Sequence, residues 1–398
     1  MFKSRKILIS LLVTSLLTVP FYAQAAQNEQ QNPTGMVTTH AVTLEDAYKA
    51  TENFILSKPH LHPLESGTLL LKEYLYDTDE TLIGYYFEVE AGETKGYFIT
   101  SAIDTIDPIM QYGIDGDLSE TLSKKAPGEK AYYYGAWIFQ FGQNGKDVKD
   151  KFEKAKTNTV EKIKQEGKLS TKETEKIEKA ELKSIKKGTE KSPGWEALLE
   201  PRDAGLGYSI AATATVKVLA VDRIYQRSSG INNPGSACGA TTGAMIMDYY
   251  HDVLGYSVRD NAYYGSWAAL VNHLYNEMGS TWIGTSLSMW ANGALTHVRH
   301  ASSNWESSQY SDAVGNSSKF IAAIDSNDPA ALRFDRFDAG GSVIEYHFVA
   351  GIGYDKDGSY AGDLHIAYKD PDNGSTNTGT HWLDWTADDD DFGFAFLY

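Results

Sequence analysis

Asn233-Pro234-Gly235-Ser236-Ala237-Cys238-Gly239-Ala240-Thr241-Thr242-Gly243-Ala244-Met245-Ile246-Met247-Asp248-Tyr249-Tyr250 holds the single cysteine of a 398-residue chain. Pro234-Gly235-Ser236 reads as loop. From Gly239 small and apolar residues continue without a breaker to His251, and Ala240, Ala244, Met247 and Tyr250 recur at helical spacing. Cys238 therefore falls at a helix N-terminus, where unpaired backbone N–H groups and the peptide dipole stabilise a thiolate. The same N–H groups suit a developing oxyanion. Gly239, Ala240 and Gly243 leave room for close approach by substrate or neighbouring backbone.

The opposite end of the chain sets the compartment. Lys3, Arg5 and Lys6 precede an apolar run from Ile7 to Tyr22 broken only by Ser, Thr and Pro20, and Ala23-Gln24-Ala25 follows. This is the pattern of a cleaved signal peptide at 1–25, with an apolar stretch too short for a comfortable membrane span. The expected product is secreted, extracellular and free of the membrane. A formal net charge of −17 repels nucleic acid and anionic lipid, so neither is an expected partner. One cysteine forms no internal disulfide. A lone cysteine is commonly just a small buried hydrophobe, but an unpaired thiol in an oxidising compartment is a liability, and its retention points to chemistry.

Between these ends the composition changes twice. Residues 26–37 read as a polar lead-in. Thr43 starts a helix that Pro59 ends, and strands follow at Leu69–Tyr76, Leu82–Glu90, Gly96–Ser101 and Tyr132–Phe141. The segment 26–145 is thus expected to be a small α+β domain. Residues 146–207 begin with a Lys/Glu-rich stretch, expected to be a solvated helical linker held by i,i+4 charge pairs and open to proteolysis. Pro193-Gly194 is read as its stop. Residues 208–398 make a second domain, with a strand at Thr213–Leu219, then helices, then strands at Ser342–Gly351, Leu364–Lys369, His381–Trp385 and Phe392–Tyr398. Helices followed by a sheet is an α+β arrangement.

A thiolate nucleophile needs a histidine partner. Ten histidines are present. His40, His60 and His62 lie in the first domain, His251 and His273 on helices, and His297 and His300 in polar surroundings. His347, His365 and His381 fall on strands of the second domain. His347, inside the apolar Val343-Ile344-Glu345-Tyr346-His347-Phe348-Val349-Ala350-Gly351, requires a specific partner if buried. A hydrogen-bonded core histidine is the plainer alternative. Asp370, where Leu364–Lys369 meets a turn, is placed to accept the other imidazole N–H if the two strands pair. Asp370 and Asp372 also suit plain turn-building, and Asp372 is expected to do only that.

Cys-Gly-x-Thr ahead of an apolar helix ending in Tyr-Tyr, then His-Phe-Val-x-Gly-x-Gly-Tyr, then Asp-Pro, resembles the C39-like branch of papain-like cysteine peptidases. The resemblance covers the last half of the chain. It implies an α+β papain-like peptidase domain with N-terminal helices and a C-terminal antiparallel sheet. It also implies Cys238 as nucleophile, His347 as base, Asp370 as orienting group and Gln226 as oxyanion donor. The chain departs from the family pattern at Ala240, where Pro is common, at Ala237, where a polar residue is usual, and in the long Gln226–Cys238 spacing. Lys95-Gly96-Tyr97-Phe98-Ile99-Thr100-Ser101 with Asp107-Pro108-Ile109-Met110-Gln111-Tyr112 is similar to the prodomain of streptopain-like secreted peptidases. That similarity implies a zymogen whose own first domain is its inhibitor, acting on a peptide or protein substrate.

Two alternatives stay open: a cell-wall amidase or endopeptidase with the same dyad, and a catalytically silent binding protein using the many Tyr and Trp residues. No cofactor is implied, and no His/Cys metal cluster stands out. Asp355-Lys356-Asp357-Gly358-Ser359 begins like a calcium loop but reads as a hairpin turn. The acidic run Asp388–Asp391 reads as a solvated loop.

Overall fold

The computed structural model describes residues 40–398 except 137, 167–170, 201–214, 339–344, 357–363 and 389–391. The signal peptide and lead-in expected at 1–37, most of the acidic run, and residues 357–359 of the calcium-like loop lie outside the described residues.

Thr43 caps α1 (Leu44–Ser57): its hydroxyl accepts the Asp46 N–H at 3.0 Å, and Glu45 and Asp46 complement the dipole of the first turn. A 3₁₀ turn, Pro59–Leu64, follows. Strands β1 (Thr68–Tyr76), β2 (Leu82–Ala91), β3 (Thr94–Ser101) and β4 (Ile109–Ile114) then run as an antiparallel meander. After a short helix, α2 (Ser119–Leu122), the expected strand Tyr132–Phe141 is instead a hairpin, β5 (Lys130–Tyr133) and β6 (Phe139–Gly142). Positive φ at Gly135 and Ala136 turns the chain between them.

The Lys/Glu-rich stretch forms α3 (Gly145–Glu166) and α4 (Thr171–Glu178). The expectation of a wholly solvated linker fails here. Phe152, Ala155, Ile163, Ile177 and Ala180 are buried in one cluster with Ile283 and Tyr346. The segment makes no core of its own but completes one with residues distant in sequence. Pro193, expected to stop a helix, starts α5 (Pro193–Leu199), with the Ser192 hydroxyl accepting the Gly194 N–H.

Beyond residue 214 come β7 (Thr215–Val218), α6 (Cys238–Asp248) with a π-helical turn at Tyr249–Val253, α7 (Asn261–Tyr264), α8 (Trp267–Glu277), and α9 (Leu287–Arg299). They are followed by β8 (Ser307–Tyr310), α10 (Ser317–Asp325), β9 (Ala330–Asp338), β10 (Glu345–Lys356), β11 (His365–Lys369), β12 (Thr380–Asp384), α11 (Trp385–Asp388) and β13 (Phe392–Leu397). This is the α+β arrangement expected, with the helices that bury Cys238 packed on an antiparallel sheet. Among the described residues no helix is long and apolar enough to cross a membrane.

One sheet runs through both halves, in the order β6-β5-β1-β2-β3-β4-β12-β11-β10-β9-β13-β8, with β7 on β10. The halves join where β4 pairs antiparallel with β12, Tyr112 opposite Trp382, and those two rings stack at 5.6 Å. Around this seam Gln111 Nε2 donates to Tyr97 and to Tyr368, and its Oε1 accepts from Tyr133. His365 Nε2 donates to the Ile109 carbonyl. Lys58 and Asp355, at 2% and 0% side-chain exposure, pair at 2.9 Å across the same seam. Asp355, first residue of the calcium-like loop, is thus committed to a buried cation.

Breaking a buried pair strands a charge without solvent. Lys58→Ala is expected to lower unfolding stability by about 3–5 kcal/mol in urea titration, while Lys58→Met with Asp355→Leu regains most of it.

Candidate active site

Cys238 is the first residue of α6, only 3% exposed. Ala237 caps the helix without a side-chain hydrogen bond, and its carbonyl accepts the Thr241 N–H at 2.8 Å. The N–H groups of the first turn have no helical partner. Two contacts hold this end. The Trp290 indole N–H of α9 donates to the Gly239 carbonyl at 3.0 Å, and Ser236 pairs with Tyr275 of α8 at 2.9 Å. Gly239 is required: a Cβ there would stand 2.7 Å from Thr285 Oγ1 and 2.9 Å from its Cβ.

His347 arrives from β10, which packs against α6. β10 pairs with β11, Ala350 opposite Lys369, so the residue that follows β11, Asp370, emerges beside the part of β10 that carries His347, two residues along in register. His347 Nε2 donates to Asp370 Oδ2 at 3.0 Å. The Cys238 thiol neighbours the same ring and favours its charged form. With Nε2 taken by the carboxylate, Nδ1 is the nitrogen left for sulfur. Sγ also donates to the Tyr346 carbonyl at 3.5 Å.

Burial by itself disfavours a charged imidazole, but the Asp370 carboxylate outweighs it. That carboxylate and the neighbouring Cys238 hold the His347 pKa well above its ordinary value. Burial likewise pushes Asp370 up, and the opposing charge and hydrogen bond of His347 bring it below the usual carboxylate range. The Asp372 N–H assists by donating to Asp370 Oδ1 at 2.7 Å.

Gln226 is nearly fully buried. Its backbone N–H donates to the Pro371 carbonyl at 2.9 Å, and its Nε2 donates to the Pro234 carbonyl at 2.8 Å in the loop before Cys238. It therefore bridges the segment that carries the cysteine and the turn that carries Asp370. Three contacts that the sequence reading missed fix this bridge. Arg223 donates to the Asp370 and Gly374 carbonyls, and Arg227 forks onto Asp372 at 2.6 and 2.7 Å. Asp372 thus anchors the Gln226 segment as well as building its turn, and the Arg-x-x-x-Arg spacing around Gln226 was the only sequence signal for it.

The other strand histidines lie apart from the thiol. His381 is buried between Tyr97 and Asn373, where burial lowers its pKa to about 3, and His365 faces the Ile109 carbonyl. Both serve the seam between β4 and β12. Gln226, Cys238, His347 and Asp370 are the sequence candidates that the fold assembles into one place. The structure also gathers His273, Glu277 and His300, a grouping that the sequence reading left dispersed.

Residues 218–391 match the model of the Peptidase_C39 like family. The match contains all four candidates and does not extend to what precedes residue 218. Among solved structures, a protein from Bacillus anthracis provisionally designated a C39-like peptidase is 13% identical. It aligns over 46% of this chain and 97% of its own, with a TM-score of 0.30. A mutant fragment of prointerpain A from Prevotella intermedia is 12% identical over 83% of this chain and 98% of its own, with a TM-score of 0.41. No curated protein matches the chain.

The His347–Asp370 contact has a defined pH window. The His347 contribution to stability is complete below about 6.5 and is lost as pH rises through its higher folded value. The Asp370 contribution is complete above about 3.9 and is lost as pH falls through its lower folded value. In Asp370→Asn the His347 ring is expected to titrate at lower pH than in the parent chain, followed by its imidazole NMR resonances. An unchanged titration would mean that the carboxylate does not hold the proton.

Proposed function

We propose that this chain is a secreted cysteine peptidase made as a zymogen, hydrolysing peptide bonds through an acyl-enzyme on Cys238. The observation that carries the proposal is a thiol at a helix N-terminus beside an imidazole whose far nitrogen is held by a buried carboxylate. The family match over 218–391 supports a peptidase in general terms.

In the proposed reaction His347 Nδ1 takes the thiol proton and Sγ attacks the substrate carbonyl carbon. The oxyanion is held by the Cys238 backbone N–H and by the Gln226 Nε2 hydrogen not used by Pro234. The tetrahedral adduct expels the amine as His347 returns the proton, leaving a thioester. Water, deprotonated by His347, then releases the acid and restores the thiol. Asp370 keeps the imidazole in register throughout.

The zymogen reading is supported by where α3 and α4 lie. Tyr346, which accepts the thiol hydrogen bond through its carbonyl and precedes His347, is buried with Phe152, Ile163 and Ile177. Lys162 sits 3.8 Å over the Trp282 ring at the edge of that cluster. The connector therefore packs on the residue that precedes His347 and whose carbonyl accepts from the Cys238 thiol. Cutting and releasing it opens the approach to them.

The chain from Ala26 onward, incubated with a reductant, is expected to be cut between residues 146 and 207, whereas Cys238→Ala stays intact by mass spectrometry. In the processed enzyme Gln226→Ala is expected to lower kcat by about 10²–10³. Hydrolysis of purified peptidoglycan but not of protein would replace the peptidase reading with a wall amidase.

A further inference from the structure

Outside the thiol site, three histidines converge on one carboxylate. Glu277 closes α8, one turn after His273, and faces His297 in the last turn of α9 and His300 just beyond it. His273 Nε2 lies 3.0 Å from Glu277 Oε2, and His300 Nε2 lies 2.7 Å from Oε1. The His273, Glu277 and His300 ligand atoms all lie within 4.8 Å of one another. Glu277 is 11% exposed, His297 fully buried, and His273 and His300 about one-third open to solvent.

Two details distinguish this cluster from an ordinary surface ion pair. His273 Nε2 is buried and makes no hydrogen bond, despite its 3.0 Å approach to the carboxylate. It is near Glu277 without forming a hydrogen bond to it, so its ligand atom is left for another partner. Next, His297 Nε2 donates to the Arg259 carbonyl at 2.8 Å and its Nδ1 lies 3.0 Å from Glu277 Oε2, so a fully buried ring fixes the carboxylate from its inner side and leaves its outer side to His273 and His300. The His273 ring is itself fixed by stacking on Tyr264 at 4.5 Å.

We propose that His273 Nε2, the Glu277 carboxylate and His300 Nε2 form a zinc site, with His297 holding the carboxylate in place. Two imidazoles and a carboxylate are borderline ligands suited to Zn²⁺, and calcium and magnesium prefer all-oxygen shells. Metal–ligand bonds of roughly 2.0–2.2 Å fit donors at the observed mutual separations. The fourth position faces solvent and takes water. The site ties α8 to α9, and both of these helices support α6. Trp290 holds the Gly239 carbonyl, and the Met278 methyl would lie 2.8 Å from a Cβ on Gly243. Zinc there braces the platform under Cys238 without touching the thiol.

The test uses the full secreted chain as Cys238→Ala, which removes the competing thiol ligand. Chelator-competition titration should show one Zn²⁺ bound. His300→Ala, a change at a solvent-open position, should weaken it by more than the roughly 10–100-fold that loss of an outer partner costs. Cobalt in place of zinc should give visible d–d bands with no thiolate charge-transfer band in the Cys238-containing chain. Added zinc should raise the thermal midpoint of the Cys238→Ala chain and leave that of the His273→Asn, His300→Ala double variant unmoved. Zinc uptake undiminished by His300→Ala, absence of uptake, or uptake that vanishes with Cys238 alone would each overturn the site.

Discussion

The 3.0 Å bond from His347 to Asp370 is the contact on which the rest of the site depends, because it links two strands and sets the state of the thiol partner. β10 presents His347 and the end of β11 presents Asp370, so the antiparallel register is what makes the bond. A register slip by one residue would turn His347 to the opposite face. Arg223, Arg227 and the Gln226 backbone then fasten the turn after Asp370 to the loop before Cys238. Cys238, His347 and Gln226 are thereby held by hydrogen bonds to backbone and to Asp372 and do not depend on side-chain packing alone.

A second constraint acts from the first half of the chain. β4 continues the sheet onto β12, and the Lys58–Asp355 pair and the Gln111 network are buried at that join. These are polar contacts without solvent, stable only while every partner is present. Such a seam gives the first half a fixed position on the second, and α3 and α4 are carried to the thiol side from the end of β6. The zymogen reading proposed above rests on that fixed registration.

Much of this was legible in the residues. Period-two alternation located β1, β2 and β3 closely, and Thr43 with Asp46 located the first helix. The unbroken small-residue run after Cys238 located α6. Asp370 followed from one hairpin. Other features depended on partners remote in sequence. Phe152, Ile163 and Ile177 look too sparse for a core until Ile283 and Tyr346 are brought to them. Tyr132–Phe141 reads as one strand because aromatic content masks the Gly135-Ala136 turn. β9 was missed because its charged residues break the apolar pattern. His273 and Glu277 are one helical turn apart, and His297 and His300 are three residues apart. That the two pairs meet is a property of α8 packing beside α9.

The central claim is that Cys238 carries the acyl group. The most direct measurement is acid-quenched intact-mass spectrometry of the processed enzyme during turnover of a slow ester or peptide substrate. The account predicts a thioester adduct on the peptide containing Cys238, accumulating before product and absent from Cys238→Ala. Turnover with no adduct, sustained by Cys238→Ala at the parent rate, would contradict it.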